Sequence, residues 1–88
     1  MKLKKGFVLR KVADNYVVVA TGEASKNFHG MVKCNGVSAD IWKGLIDGCE
    51  EEEIVSRLTD KYEVSPEKAA EDTRRVLREI EEAGFFSK

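Results

Sequence analysis

The spacing of apolar residues in this chain changes its period once, between Cys34 and Val37. Before that point apolar residues come in short runs rich in β-branched and aromatic types, which fit a pleated surface. "FVLRKV" (Phe7–Val12) and "YVVVA" (Tyr16–Ala20) are two such runs. Between them "ADN" (Ala13–Asn15) supplies Asp14 and Asn15, which tolerate the left-handed backbone of a tight turn, so the pair reads as an antiparallel hairpin. A loop over "TGEASKN" (Thr21–Asn27), turning at Gly22, leads into "FHGMVKC" (Phe28–Cys34). There Phe28, Gly30, Val32 and Cys34 alternate with His29, Met31 and Lys33, the pattern of a third short strand.

From Val37 the period becomes helical. Val37, Ile41, Trp42, Leu45 and Ile46 recur on one face, Gly48 stops the run, and Asn35 or else Ser38 can serve as the N-cap. A second helix runs from about Glu50 to Tyr62, with Ile54, Val55, Leu58 and Tyr62 as its stripe. Its acidic first turn, Glu50 to Glu53, matches the positive end of the helix dipole. The third helix has the clearest start: Ser65 is a preferred N-cap and Pro66 falls at the first helical position. It extends to about Ala83 and ends at Gly84, with Ala69, Thr73, Val76, Leu77, Ile80 and Ala83 in one broad stripe. Phe85 and Phe86, beyond the glycine, can fold back on the last turn. The order β-β-β-α-α-α predicts an α+β fold, a three-stranded antiparallel sheet followed by three helices, in a single domain over residues 1–88.

Composition narrows the function classes. A chain of 88 residues has room for one core, burying roughly 60–65% of its unfolded surface. Fifteen basic and sixteen acidic residues give a net charge of −1, so there is no overall pull toward nucleic acid or an anionic membrane. No apolar run approaches the ~20 residues of a membrane helix. Arg10 and Lys11 interrupt what would be the apolar region of a signal peptide, which predicts an intact N-terminus in the cytoplasm. Cys34 and Cys49 form no CxxC pair or His/Cys cluster and read as buried free thiols, with no metal site implied.

Catalytic chemistry finds no footing. His29 is the only histidine, with no acid or serine at a telling distance. "NG" (Asn35–Gly36) and "DGC" (Asp47–Cys49) are turn glycines rather than a phosphate loop. Pairs such as Glu71 with Arg75 and Arg78 with Glu82 fit salt-bridged solvent faces. Three short helices beside a small sheet also suit a winged helix-turn-helix, but the second helix opens on four glutamates and the third mixes its arginines with acids, the wrong sign for DNA. What remains is binding through backbone: a small sheet has edges whose unpaired N–H and C=O groups accept an extended peptide. Gly30 either lets a guest backbone approach the third strand or relieves crowding against a core aromatic such as Trp42.

"TGEASKNFHGMVKCNGVSADIW" resembles the PqqD family of small peptide chaperones, recognition elements for ribosomally made, modified peptides. The correspondence runs through Thr21-Gly22-Glu23-Ala24, Phe28, Gly30-Met31, Cys34-Asn35 and Ile41-Trp42, and continues in "DG", "EEEIV" and a last helix ending in Ala83-Gly84. Cys34 stands where the family favours leucine, Gly36 and Val37 replace a more polar pair, and the serine or threonine that caps the second helix is missing near Cys49–Glu50. The resemblance implies a winged helix-turn-helix-like domain that catalyses nothing and carries no cofactor. It implies binding of a precursor leader, of pyrroloquinoline quinone or another pathway, and presentation to a modifying enzyme, often of the radical S-adenosylmethionine type. The leader would add to the third strand, Phe28, His29, Gly30, Met31, Val32, Lys33 and Cys34, facing a wall from Ala69, Asp72, Thr73 and Val76 of the third helix. His29, Met31 and Lys33 are then the candidates for selectivity. A DNA-binding winged helix or a plain interaction and oligomerisation module, monomeric or weakly dimeric, are the alternatives.

Overall fold

The computed structural model describes residues 2–22 and 31–86. Strands β1 (Phe7–Val12), β2 (Asn15–Ala20) and β3 (Met31–Cys34) form one antiparallel sheet in the order β1-β2-β3. Helices α1 (Gly36–Ile46), α2 (Glu51–Lys61) and α3 (Pro66–Ala83) follow. Of the expected third strand, Phe28, His29 and Gly30 lie outside the described residues, as does most of the loop before it.

The hairpin turns on Ala13 and Asp14, between the closing pair Val12 and Asn15. The residue that takes the left-handed backbone is Ala13, at φ 55°, rather than the expected Asp14 or Asn15. A two-residue loop with the right-handed twist of a hairpin needs positive φ at its first position, and the register puts Ala13 there. The ladder's geometry overrides the residue's preference.

One face of the sheet carries Phe7, Val18 and Cys34, all within the core; Val18 is fully buried. α1 packs on the sheet, and its Ala39, Ile41, Trp42 and Leu45 share one core with Ile54 and Leu58 of α2 and Ala69, Val76 and Ile80 of α3, which pack behind it. Trp42 meets Phe7 with ring centroids 5.7 Å apart, and Phe85 closes the cluster 4.8 Å from Phe7. Phe85 is held there because α3 ends at Gly84 in the left-handed conformation (φ 78°) and the Phe85 N–H donates to the Ile80 carbonyl. The chain then runs beside its own beginning, with Leu3 bridged to Phe86 and the Lys4 N–H donating to the Phe85 carbonyl.

The caps follow the sequence closely. Asn35 accepts from the Ser38 N–H at 2.9 Å, so Asn35 is the α1 cap, and Ser65 accepts from the Lys68 N–H at 3.1 Å. Glu50 stands at the N-cap of α2 without a side-chain bond, where the acidic first turn meets the dipole instead. Helices α1 and α2 approach closely at Gly44, where a Cβ would lie 2.8 Å from Ile54 Cγ1. Tyr62, after α2, donates its hydroxyl to Asp40 of α1, and Lys61 bonds the same carboxylate at 3.0 Å.

Candidate functional site

β3 pairs only with β2 among the described strands, so one of its edges is open. Which of its backbone groups point outward follows from the ladder. The Thr21 N–H donates to the Gly6 carbonyl at 2.7 Å, which continues the β1–β2 register by one pair. In an antiparallel ladder hydrogen-bonded and non-bonded pairs alternate. Val8 with Val19, Arg10 with Val17, and Val12 with Asn15 are therefore the bonded pairs of β1 and β2. Tyr16 and Val18 turn their backbone groups the other way, toward Cys34 and Val32 of β3. That leaves the N–H and C=O of Met31 and Lys33 directed out of the sheet. The described part of the open edge thus offers two donors and two acceptors.

The side chains alternate independently. Val32 is half-buried and Cys34 buried on the helix face of the sheet, whereas Met31 (58% exposed) and Lys33 stand on the opposite face. A strand laid against this edge would send alternate side chains toward the helices and toward Met31 and Lys33.

α1 is the helix packed against β3, and α3 packs on α1 and α2 behind it. Arg74 of α3 reaches Glu51 of α2 at 3.6 Å, so that flank faces α2. Glu79, on a different flank, adds to the upward shift of the buried Cys34 thiol of β3. On that second flank, at helical spacing, lie Lys68, Asp72, Arg75 and Glu79. The Asp72 carboxylate takes Lys68 at 3.1 Å and Arg75 at 3.6 Å, and is itself nearly buried. This flank is a neutralised ladder of two acids and two bases.

The expected wall residues sit at different depths on α3. Ala69 and Thr73 are 1% and 0% exposed, and Thr73 donates its hydroxyl to the Ala69 carbonyl. They lie on the underside of α3, seating it on the core. Val76, at 3%, belongs to that underside too. Asp72 is the member of the expected set on the charged flank. Lys68, Arg75 and Glu79 share that flank, at spacings of three or four residues from Asp72.

The site is chemically quiet. The Cys34 thiol is pushed up, first by burial and then by the Glu79 charge, so it stays protonated and carries no nucleophilic thiolate. Cys49 is also raised, chiefly by its bond with Glu53. Among the described residues no group of three or more His, Cys, Asp or Glu side chains could hold a metal ion. None of the described helices is long and apolar enough to cross a membrane.

An open edge strand and a charged helix are features many chains share, and comparison with known proteins narrows them. Residues 15–85 match the family described as coenzyme PQQ synthesis protein D (PqqD). This chain belongs to the PqqD family. Two solved structures share the fold of this PqqD-family chain. One is described as TbiB1 in complex with the TbiA(beta) leader peptide. It has a TM-score of 0.76 and 23% identity, covering 99% of this chain and 95% of that one. The other is a lasso peptide synthetase B1 complexed with the leader peptide. Its TM-score is 0.73 at 20% identity, covering 99% and 96%. A comparison with curated protein sequences finds no match.

Proposed function

We propose that this PqqD-family domain is a non-catalytic chaperone that holds the leader of a ribosomally made precursor peptide and presents it to a modifying enzyme. The observation that carries this reading is the outward-facing N–H and C=O of Met31 and Lys33, together with the Lys68–Asp72–Arg75–Glu79 flank of α3. Family membership and the leader peptides in both similar structures support it. The leader adds as a strand next to β3. Four main-chain hydrogen bonds at about 1 kcal/mol net each give about 4 kcal/mol, which alone is millimolar binding. Useful affinity therefore comes from leader side chains that dip between β3 and α3, with Met31 and Lys33 reading the alternate positions. The partner enzyme is of the radical S-adenosylmethionine type, and the domain works as a monomer or weak dimer.

Titrating isotope-labelled protein with candidate leader peptides tests this. Amide shifts are expected at Met31–Cys34 and at Lys68, Asp72, Arg75 and Glu79. Shifts confined to α2 would overturn the groove. A DNA-binding role has nothing to recommend it: α2 opens on Glu51, Glu52 and Glu53, and the α3 flank is charge-balanced.

A further inference from the structure

The sheet has a second open edge. Among the described strands β1 pairs only with β2, and the same alternation directs the N–H and C=O of Phe7, Leu9 and Lys11 away from the sheet. Beside this edge, on the helix side, lies an open concavity floored by Phe7, Leu9, Tyr16 and Ile46 and rimmed by Lys11 and Lys43. Ile46 is 40% exposed there, a large apolar side chain at the end of α1 that nothing described covers. Asp47 is the acid in this concavity, and it is shared between Lys43 at 3.6 Å and Arg57 at 3.3 Å.

The charge along this strip is one-sided. Two basic pairs, Lys4-Lys5 and Arg10-Lys11, bracket the apolar triplet Phe7-Val8-Leu9. The first twelve residues hold five basic side chains and no acid, while the rest of the chain holds ten basic and sixteen acidic. Cations on the helices are largely paired: Lys43, Arg57, Lys61, Lys68, Arg74 and Arg75 each meet a carboxylate. Among the described residues no ion pair involves Lys4, Lys5, Arg10 or Lys11. A second copy is a poor occupant, since antiparallel pairing of two β1 edges about Val8 would set Lys5 against Lys11 twice.

We infer that the β1 edge is a second strand-addition site, and that it takes an extended segment of the modifying enzyme in which a short apolar run is flanked by acidic residues. The identity of that partner rests on the chaperone reading above; the complementarity of the strip does not. The two open edges are separated by two strand spacings, about 10 Å. Leader and enzyme segment thus add to the same sheet at once, and the leader is delivered without leaving β3.

The probe is a capped peptide of three leucines flanked on each side by two glutamates, with its lysine-flanked counterpart as control. In titrations followed by amide shifts, the acidic peptide is expected to move Phe7, Leu9 and Lys11 and to leave Met31 and Lys33 in place. Roughly tenfold weaker binding is expected when salt rises from 0.05 to 0.5 M, as for any exposed charge complementarity. Lys11→Glu is expected to weaken it about fivefold, the worth of one exposed pair. Ile46→Glu, another surface change, removes the apolar contact and weakens it further. Equal binding of the lysine peptide, shifts at β3 instead of β1, or no binding at millimolar peptide would each overturn the inference. So would concentration-dependent shifts at β1 without peptide, which would make the strip a self-association surface. Leader titration of the same sample reads β3 separately, so a leader that fails there condemns the chaperone reading and leaves the basic strip standing.

Discussion

Proline placed at adjacent positions of β3 tests the assignment of its open edge without any ligand. Lys33 is exposed and its N–H points out of the sheet, so Lys33→Pro removes no ladder bond. Proline is accepted on edge strands for this reason, and the cost is confined to φ restriction, on the order of 1 kcal/mol. Val32 donates its N–H to β2 opposite Val18. Val32→Pro deletes that bond, leaves the Val18 carbonyl unpaired against a fully buried residue, and sets the ring against the ladder, for about 3 kcal/mol or more. Val32→Ala measures the side-chain part of that loss separately. With an m-value of about 1–2 kcal/mol/M in urea, Val32→Pro should lower the midpoint by roughly 1.5–3 M and Lys33→Pro by less than about 1 M. Hydrogen exchange on the wild-type protein gives the same answer by another route: the Val32 and Cys34 amides are protected, and those of Met31 and Lys33 exchange quickly. With a leader in hand, Lys33→Pro should weaken binding about two- to tenfold, the worth of one net hydrogen bond. If Lys33→Pro unfolds the domain while Val32→Pro leaves it intact, the alternation derived from Gly6 and Thr21 is wrong and the guest-facing residues are Val32 and Cys34.

Other outcomes follow from the packing and the protonation states. Gly44→Ala brings a methyl to 2.8 Å from Ile54 Cγ1; overpacking of about 1–3 kcal/mol outweighs the ~1 kcal/mol helix-propensity gain, so urea denaturation should show a net loss, and a rise in stability would refute the close approach. Ser65→Ala should cost about 1 kcal/mol by removing the α3 cap, read from the same transition. The Tyr62 hydroxyl is pushed up to about 12 from its ordinary 10.0, first by burial and then by its bond to Asp40. Its contribution is complete below about pH 10 and fades as pH climbs to about 12, because the unfolded phenol ionises first. Tyr62→Phe should lose that part of the alkaline decline, and an unchanged difference between pH 9 and 12 would count against it. Glu79→Gln should lower the Cys34 thiol pKa, seen as faster alkylation at fixed alkaline pH; an unaltered rate would place α3 elsewhere.

Most of the frame was legible because local chemistry and global packing agree. Ser65-Pro66 and Gly84 punctuate α3, and the structure places its boundaries at Pro66 and Ala83. Trp42, with Ile41 and Leu45, belongs to a core stripe visible at helical spacing. The hairpin turn was found, but its left-handed residue was not, since the choice between Ala13 and its neighbours depends on the ladder rather than on residue preference. The site was half legible. A strand's side-chain alternation can be read from "FHGMVKC", yet which backbone groups it keeps free is set by a bond between Thr21 and Gly6, two strands away. The resemblance pointed to α3, and of the wall residues it implies Ala69 and Thr73 are small residues in the buried stripe. The long charged residues Lys68, Arg75 and Glu79 share a flank of α3 with Asp72, and which way that flank turns depends on packing against α2 that the sequence does not display.

The bridge between Leu3 and Phe86 has a consequence for how such a domain can be combined with other chains. Paired residues across an antiparallel bridge lie about 4.5–5.5 Å apart, little more than one peptide step. The fold therefore enters and leaves the sheet at nearly one point, as a hairpin does. A host protein could carry it in a surface loop without stretching its own backbone, and a short linker joining residues 86 and 3 would allow new ends to be opened in an exposed turn such as Ala13–Asp14. In architectural terms it is a pluggable module whose junction lies at the start of β1, at the far side of the sheet from β3.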